Sequence, residues 1–206
     1  MGFTLKNEEE LRLFKAGFRV IVGMDEAGMG PLAGPVVVGA VVLPEAFELP
    51  YLNDSKKLTK KRRANLEIEI KIQARSWSVG EASAMEINEL GIRPATFLAY
   101  ERAMFGIKDA DYLLVDAWTL PGTPLPQQGI IKGDTKIASI AAASILAKEH
   151  RDRMMTALHE TYPQYGFNQH KGYGTKAHME AIREHGACPE HRTSWSIFKE
   201  LLSTNC

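Results

Sequence analysis

The chain has 206 residues, 45% of them hydrophobic, with Lys plus Arg and Asp plus Glu equal at 25 each. This length suits one domain with a sizeable core, and the neutral balance excludes nucleic-acid binding through net charge alone. Two cysteines, Cys188 and Cys206, exclude a disulfide framework, and no apolar run approaches the ~18 residues of a membrane span. Glu8, Glu9 and Glu10 make the N-terminus unlike a signal peptide, so a cytoplasmic protein with no membrane partner is expected. Nothing in the sequence demands more than a monomer.

Residues 4–17 read as a short helix, with Leu5, Leu11, Leu13 and Phe14 apolar and Thr4 or Asn7 as its cap. An apolar run at 20–22 begins a strand that ends on adjacent carboxylates, Asp25 and Glu26. Gly28, Gly30 and Gly34 follow, with Pro31 and Pro35 among them, before a second strand at 36–43. Residues 59–75 are ambiguous. Leu66, Ile68, Ile70 and Ile72 alternate as in a strand, yet Thr59 can cap and the Lys, Arg, Ala, Glu and Gln content favours a helix, which is the assignment adopted. A strand at 76–82 and helices at 83–92 and 94–105 come next, broken near Gly91 and Pro94. A short buried strand at 112–115 ends at Asp116, and a Pro-rich loop at 117–128 leads to a strand at 129–131. A long helix starts near Asp134 and runs to about His159, and its small residues at 141–144 allow it to lie close to a sheet. A loop at 162–175, a helix at 176–185 and a short helix after Trp195 complete the chain. This order predicts a mixed sheet covered on both faces.

Buried strands that end on acids need something to compensate the charge. Asp25 with Glu26, Asp116 and Asp134 fall at three such ends, and ligands gather at one end of a covered sheet. Clustered carboxylates repel one another without a cation, and oxygen-only ligands suit Mg²⁺ or Mn²⁺. Taken singly, Asp134 reads equally well as a helix cap and Asp116 as a solvated strand end. Glycines at 28–34 allow a phosphate to approach the backbone. Lys56, Lys57, Lys60, Lys61, Arg62 and Arg63 form either a solvated face or a phosphate contact that Lys148 and Arg151 extend. Tyr173, flanked by glycines, is placed to stack on a sugar or base. His185, Cys188 and His191 have a spacing that zinc could use, but a closed site needs four ligands and no companion pair is evident.

Asp25-Glu26-Ala27-Gly28-Met29-Gly30-Pro31-Leu32-Ala33-Gly34-Pro35 resembles the signature of bacterial ribonuclease HII, the type 2 ribonuclease H. So do Asn53-Asp54-Ser55-Lys56-Lys57-Leu58, Lys132-Gly133-Asp134, the run from Ser139 to Lys148, Tyr162 to Phe167, and His170-Lys171-Gly172-Tyr173. The resemblance implies an α/β, ribonuclease H-like fold. It implies a mixed five-stranded sheet flanked by helices, in one domain over 1–206, with an N-terminal helix at about 1–17 and a helical extension at about 176–206. It implies hydrolysis of the RNA strand of RNA–DNA hybrids and incision 5′ to single ribonucleotides in duplex DNA, leaving 3′-hydroxyl and 5′-phosphate ends. Asp25, Glu26, Asp116 and Asp134 match the catalytic, metal-binding carboxylates, serving two Mn²⁺ or Mg²⁺ ions. By the same resemblance, Asp25 would bridge both ions, Asp134 would help hold the one that activates water, and Asp116 the one at the leaving oxygen. Tyr173 matches the residue that stacks on the neighbouring deoxyribose, and the backbone of Gly28, Met29 and Gly30 matches the 2′-hydroxyl reader. Asn53, Ser55, Lys56, Lys57 and Lys148 are further substrate-binding candidates. Met29 stands where the family usually has Arg, which removes a phosphate-gripping fork. The alternative reading is therefore a catalytically weak binder of hybrids or junctions. Trp195, where the family usually has Phe, is expected to be neutral.

Overall fold

The computed structural model describes residues 8–53, 55 and 58–203, so Lys56, Lys57 and the caps Thr4 and Asn7 lie outside the described residues. The elements are α1 (Glu8–Lys15), β1 (Ile21–Ala27), β2 (Val36–Val42), α2 (Lys60–Gln73), β3 (Ser76–Ala82), α3 (Ala84–Leu90) and α4 (Ile92–Phe105). They continue with β4 (Tyr112–Asp116), β5 (Gln127–Ile130), α5 (Ala138–Thr161), α6 (Phe167–His170), α7 (Lys176–His185) and α8 (Ile197–Ser203). The five strands form one mixed sheet in the order β3-β2-β1-β4-β5. β1, β2 and β3 pair antiparallel, while β1–β4 and β4–β5 pair parallel.

The sheet is buried on both faces because β1 and β2 are apolar at nearly every position rather than at alternate ones. On one face Val22, Met24, Val38 and Val115 pack under α4 through Ala95, Ala99, Tyr100 and Ala103. On the other face Val41 and Leu43 pack under α5 and α2, through Ala142, Leu146, Leu66 and Ile70. The small residues of α5 bring it onto the strands as expected: a Cβ on Gly39 would lie 2.2 Å from the Ala143 carbonyl oxygen. Glu10 of α1 reaches the start of α5, where it accepts from the Ser139 N–H and hydroxyl at 2.9 Å each.

Residues 60–73 are helical, with Thr59 accepting from the Arg62 N–H. The strand-like alternation arises because Leu66 and Ile70 are buried while Ile68 and Ile72 stand 61% and 76% exposed on the outer side. The last strand runs over Gln127–Ile130 rather than 129–131, and its residues are half-buried or exposed, so hydrophobicity could not mark its ends. Asp134 sits in a 3₁₀ turn, Gly133–Thr135, and α5 begins four residues later. The 162–175 loop contains a 3₁₀ turn at Pro163–Tyr165 and the single turn of α6.

Candidate active site

β1 leaves the core at Asp25 and Glu26. Asp25 is buried, and its Oδ1 accepts from the Glu26 N–H at 2.7 Å. Parallel pairing of Met24 with Val115 carries the next residues of β1 and β4, Asp25 and Asp116, to the same end of the sheet. Asp116 Oδ1 accepts from the Gly133 N–H at 2.6 Å, which draws the turn bearing buried Asp134 against the end of β4. Burial pushes the Asp25 carboxyl well above the usual carboxylate range, and the charges of Glu26, Asp116 and Asp134 push it the same way against the Ser144 hydroxyl. Ser144 also shares a 3.0 Å hydrogen bond with the buried Ser55 hydroxyl. From α4, the Tyr100 hydroxyl donates to Glu26 Oε2 at 2.6 Å, and burial followed by the charges of Glu26 and Asp25 raises its phenol pKa.

Of the acids expected at three strand ends, Asp25, Glu26 and Asp116 do close β1 and β4, whereas Asp134 sits in the turn after β5, and the charges of the other three reach Asp25. Among the described residues, no three His, Cys, Asp or Glu stand close enough together to chelate an ion outright. The cluster is open and offers only oxygens. That donor chemistry fits a hard divalent ion that keeps several waters, as Mg²⁺ and Mn²⁺ do.

After β1 the chain turns through residues 28–35, and two fully buried arginines hold this loop from inside. Arg192 Nη1 donates to the Met29 carbonyl at 3.0 Å. Its Nη2 donates to the carbonyls of Gly28 at 2.6 Å, Gly34 at 2.9 Å and Pro35 at 3.2 Å, and its Nε to Gly34 at 3.0 Å. Arg151 donates to the carbonyls of Pro35 at 2.9 Å, Ala33 at 3.0 Å and Lys171 at 3.0 Å. Burial lowers both guanidinium pKa values, Arg192 to about 9 with the charge of Arg151 adding to the effect. Gly28 has φ +99° and a Cβ there would lie 2.2 Å from Arg151 Nε, whereas nothing lies within 4 Å of a Cβ on Gly30.

A groove of about 220 Å³ runs outside the loop, lined by Glu26, Met29, Gly30, Ser55, Lys148 and Tyr173 among others. Tyr173 is 46% exposed there. Its loop docks on the glycine loop, with the Leu32 N–H donating to the Gly172 carbonyl at 2.8 Å. Lys148 Nζ lies 2.7 Å from Asp152 Oδ1, and Asn53 is half-buried in the segment leading to Ser55. The Met29 side chain is half-buried and packs against the apolar cluster of Val22 and Met24.

The basic patch does not extend through Arg151 as expected, because all three guanidinium nitrogens of Arg151 are committed to backbone carbonyls. Arg63 is likewise committed, donating to Glu149 Oε1 at 2.8 Å and to the Leu58 carbonyl at 2.9 Å. Of the spacing that zinc could use, His191 Nδ1 accepts from the Cys188 N–H at 2.9 Å and its Nε2 meets His178 Nε2 at 3.1 Å. His185 is instead exposed beside Glu184.

The family model described as Ribonuclease HII matches residues 22–198. A ribonuclease HII of Desulfitobacterium hafniense is 51% identical over 195 residues, covering 94% of this chain and 75% of that protein. The chain belongs to the ribonuclease HII family. Another ribonuclease HII, from Syntrophotalea carbinolica, is 51% identical over 194 residues and covers 94% of this chain and 93% of its own length. Among solved structures, the PCNA:RNase HII complex of Archaeoglobus fulgidus superposes with a TM-score of 0.72 at 27% identity, covering 88% of this chain and 96% of that one.

As a ribonuclease HII, this chain is an endonuclease acting on RNA–DNA hybrids, and dependence on divalent metal is typical of the family. No helix among its described residues is long and apolar enough to cross a membrane. Two residues at this ribonuclease HII site, Tyr100 and Arg192, were not marked by the sequence. Each meets the site across a large sequence gap, 74 residues from Tyr100 to Glu26 and 164 from Arg192 to Gly28, and neither stands at an element end where spacing would flag it.

Proposed function

We propose that this enzyme incises duplex DNA 5′ to a single embedded ribonucleotide, as well as cutting RNA in hybrids, by two-metal-ion catalysis. The observation that carries the reading is that parallel β1 and β4 bring Asp25 and Asp116 to one end of the sheet, where the charges of Glu26, Asp116 and Asp134 reach Asp25, beside a groove lined by glycine-loop backbone and an exposed tyrosine. Asp25, Glu26, Asp116 and Asp134 would hold two Mn²⁺ or Mg²⁺ ions. When bound, the ions supply activation of the attacking water and charge stabilisation at the leaving 3′-oxygen. Tyr100 orients Glu26 through its hydrogen bond, and Ser144 steadies Asp25.

Substrate selection rests on the other wall. The Met29 and Gly30 amides offer donors to a ribose 2′-hydroxyl, the group that separates RNA from DNA. The Tyr173 ring offers a face to the neighbouring deoxyribose, and Lys148 contributes positive charge to the groove. Ser55 lines the same groove, and Asn53, Lys56 and Lys57 flank it in sequence.

The test is cleavage, with Mg²⁺ or Mn²⁺ present, of a DNA duplex bearing one ribonucleotide, an RNA–DNA hybrid and an all-DNA duplex. Cutting of the first two, with 3′-hydroxyl and 5′-phosphate ends, is the expected result. Because Met29 adds no donor to the groove, binding without cutting would favour the weak-binder reading, and cutting of the all-DNA duplex would point to a different nuclease.

A further inference from the structure

Two groups of buried side chains meet the substrate-reading loops from beneath, and both emanate from one short segment, residues 188–192. The first is Arg192, which gathers the carbonyls of Gly28 and Met29 inward. All described peptide bonds are trans. In a planar trans peptide the C=O and the following N–H point in opposite directions. With the Gly28 and Met29 carbonyls held toward the core, the N–H groups of Met29 and Gly30 face away from it, toward the groove that both residues line. Among the described residues neither amide has a protein acceptor.

The second group is a chain of imidazoles. The Cys188 N–H donates to His191 Nδ1 at 2.9 Å, so that nitrogen is unprotonated and the proton of the neutral ring sits on Nε2. That Nε2–H donates to His178 Nε2 at 3.1 Å, which leaves the His178 proton on Nδ1, where it donates to the Tyr173 carbonyl at 2.9 Å. The Tyr173 carbonyl can only accept, which fixes the same directions from the other end of the chain and leaves the 3.3 Å approach of His191 Nδ1 to the Cys188 carbonyl without a proton. Both rings are fully buried, and burial lowers both pKa values to about 4, so they are neutral at pH 7. The same segment is bonded directly to the glycine loop, with Gly34 N–H donating to the Glu190 carbonyl at 2.8 Å and Arg192 N–H to the Leu32 carbonyl at 2.9 Å.

We propose that residues 188–192 act as a positioning strap: Arg192 aims the Met29 and Gly30 amides into the groove, and His191, through His178, fixes the loop that presents Tyr173. Arg192 and His178 are positioning residues, since neither touches substrate. The strap sets the distance between the two substrate-reading elements and so the recognition of a ribonucleotide next to DNA. This inference rests on the reading that those amides and Tyr173 contact the substrate.

The experiment is a double-mutant cycle on kcat/KM for a DNA duplex with one ribonucleotide, using full-length enzyme with Mg²⁺. Arg192→Lys keeps the charge but offers three donors from a point rather than a planar fork. It is expected to lower kcat/KM about 10–100-fold, the loss of well-formed hydrogen bonds. Gly30→Ala lowers it separately. If Arg192 works by aiming the loop, the double variant loses no more than the worse single variant, because an amide already misaimed has little left to lose. Losses that multiply, or no loss for Arg192→Lys, overturn the strap.

His178 gives an independent arm should Arg192→Lys fail to fold. His178→Asn retains a donor near Nδ1 and is expected to keep most activity, whereas His178→Phe loses it, and that loss disappears in a Tyr173→Ala background. A His178→Phe loss of the same fold in both backgrounds overturns the proposal. Wild-type enzyme that fails to cut the duplex overturns the functional reading itself and the strap with it, whereas wild-type cutting with multiplicative losses overturns the strap alone.

Discussion

Gly30→Ala separates what the fold requires from what a ligand requires. Gly28 and Gly30 stand two residues apart in one loop, yet only Gly28 is demanded by the protein. Its φ is +99°, and an added methyl would meet Arg151 Nε at 2.2 Å and the Pro35 carbonyl at 2.8 Å. A methyl on Gly30 meets nothing within 4 Å. The stability cost at Gly30 should therefore stay within about 0.5 kcal/mol, the range of an exposed substitution, or turn slightly favourable because alanine restricts the unfolded chain. For a domain of this size that is a Tm change of roughly 2 °C or less. Activity should respond differently. The methyl occupies space in front of an amide that has to approach a substrate oxygen to about 2.9 Å, and losing that bond with its partner left unsatisfied costs about 1–3 kcal/mol. The expected fall in kcat/KM is about 10–100-fold on a duplex with one ribonucleotide. Thermal melting and initial-rate kinetics on the same preparation measure both. Unchanged kinetics would refute the close approach of substrate to this loop, and a Tm drop of many degrees would refute the open space assigned to Gly30.

Met29→Arg, which supplies the fork that the sequence resemblance leads one to expect, should raise kcat/KM on the same duplex by about tenfold or more, since a charge-assisted contact is worth roughly 1.5–3 kcal/mol; no gain in steady-state kinetics would mean the groove does not use that position. Tyr100→Phe removes the donor to Glu26, and the half-saturating Mg²⁺ or Mn²⁺ concentration should rise about 10–100-fold with a small change in Tm; an unchanged metal titration would detach Tyr100 from the site. Burial holds His178 and His191 at about 4, below the ordinary value near 6.5, so the unfolded chain binds more protons between those limits. Stability is then full above pH 6.5 and falls as pH drops toward 4, by on the order of 3 kcal/mol for each ring that titrates alone. His170 stacks on His178 and Tyr165 lies against His191, and denaturant melts of wild type and His178→Phe from pH 7 to 4 should diverge, with the shallower slope in the variant; parallel slopes would contradict the assignment.

Asp25, Glu26 and Asp116 were legible because two buried strands, β1 and β4, finish on acids, a pattern that hydrophobic runs reveal without knowledge of pairing; Asp134 lies instead in a turn beyond a poorly buried strand. That Asp25 and Asp116 meet depends on the parallel pairing of β1 with β4, which the structure supplies. The helix at 60–73 was legible only through its cap and residue types, because Ile68 and Ile72 place apolar side chains on the solvent face and mimic a strand. Arg151 was misread for a physical reason: arginine in sequence signals solvent or phosphate, and only tertiary structure shows a guanidinium satisfied entirely by loop carbonyls. His191 was misleading in the same way, since a spacing that zinc could use from His185 carries no hint of His178 on α7 as the real partner. Residue pairs separated by 74 and 164 positions leave no local periodicity, so the supports of the site were hidden while the residues facing the groove were not.

The measurement that bears most directly on the account is single-turnover incision, with saturating Mg²⁺ or Mn²⁺, of a duplex bearing one ribonucleotide by wild type, Asp25→Asn and Asp134→Asn. Removing a carboxylate that holds a catalytic ion forfeits several kcal/mol of transition-state stabilisation, so each variant should be slower by about a thousandfold while folding normally. Either variant cutting at the wild-type rate would contradict the claim that these acids serve one metal-dependent centre.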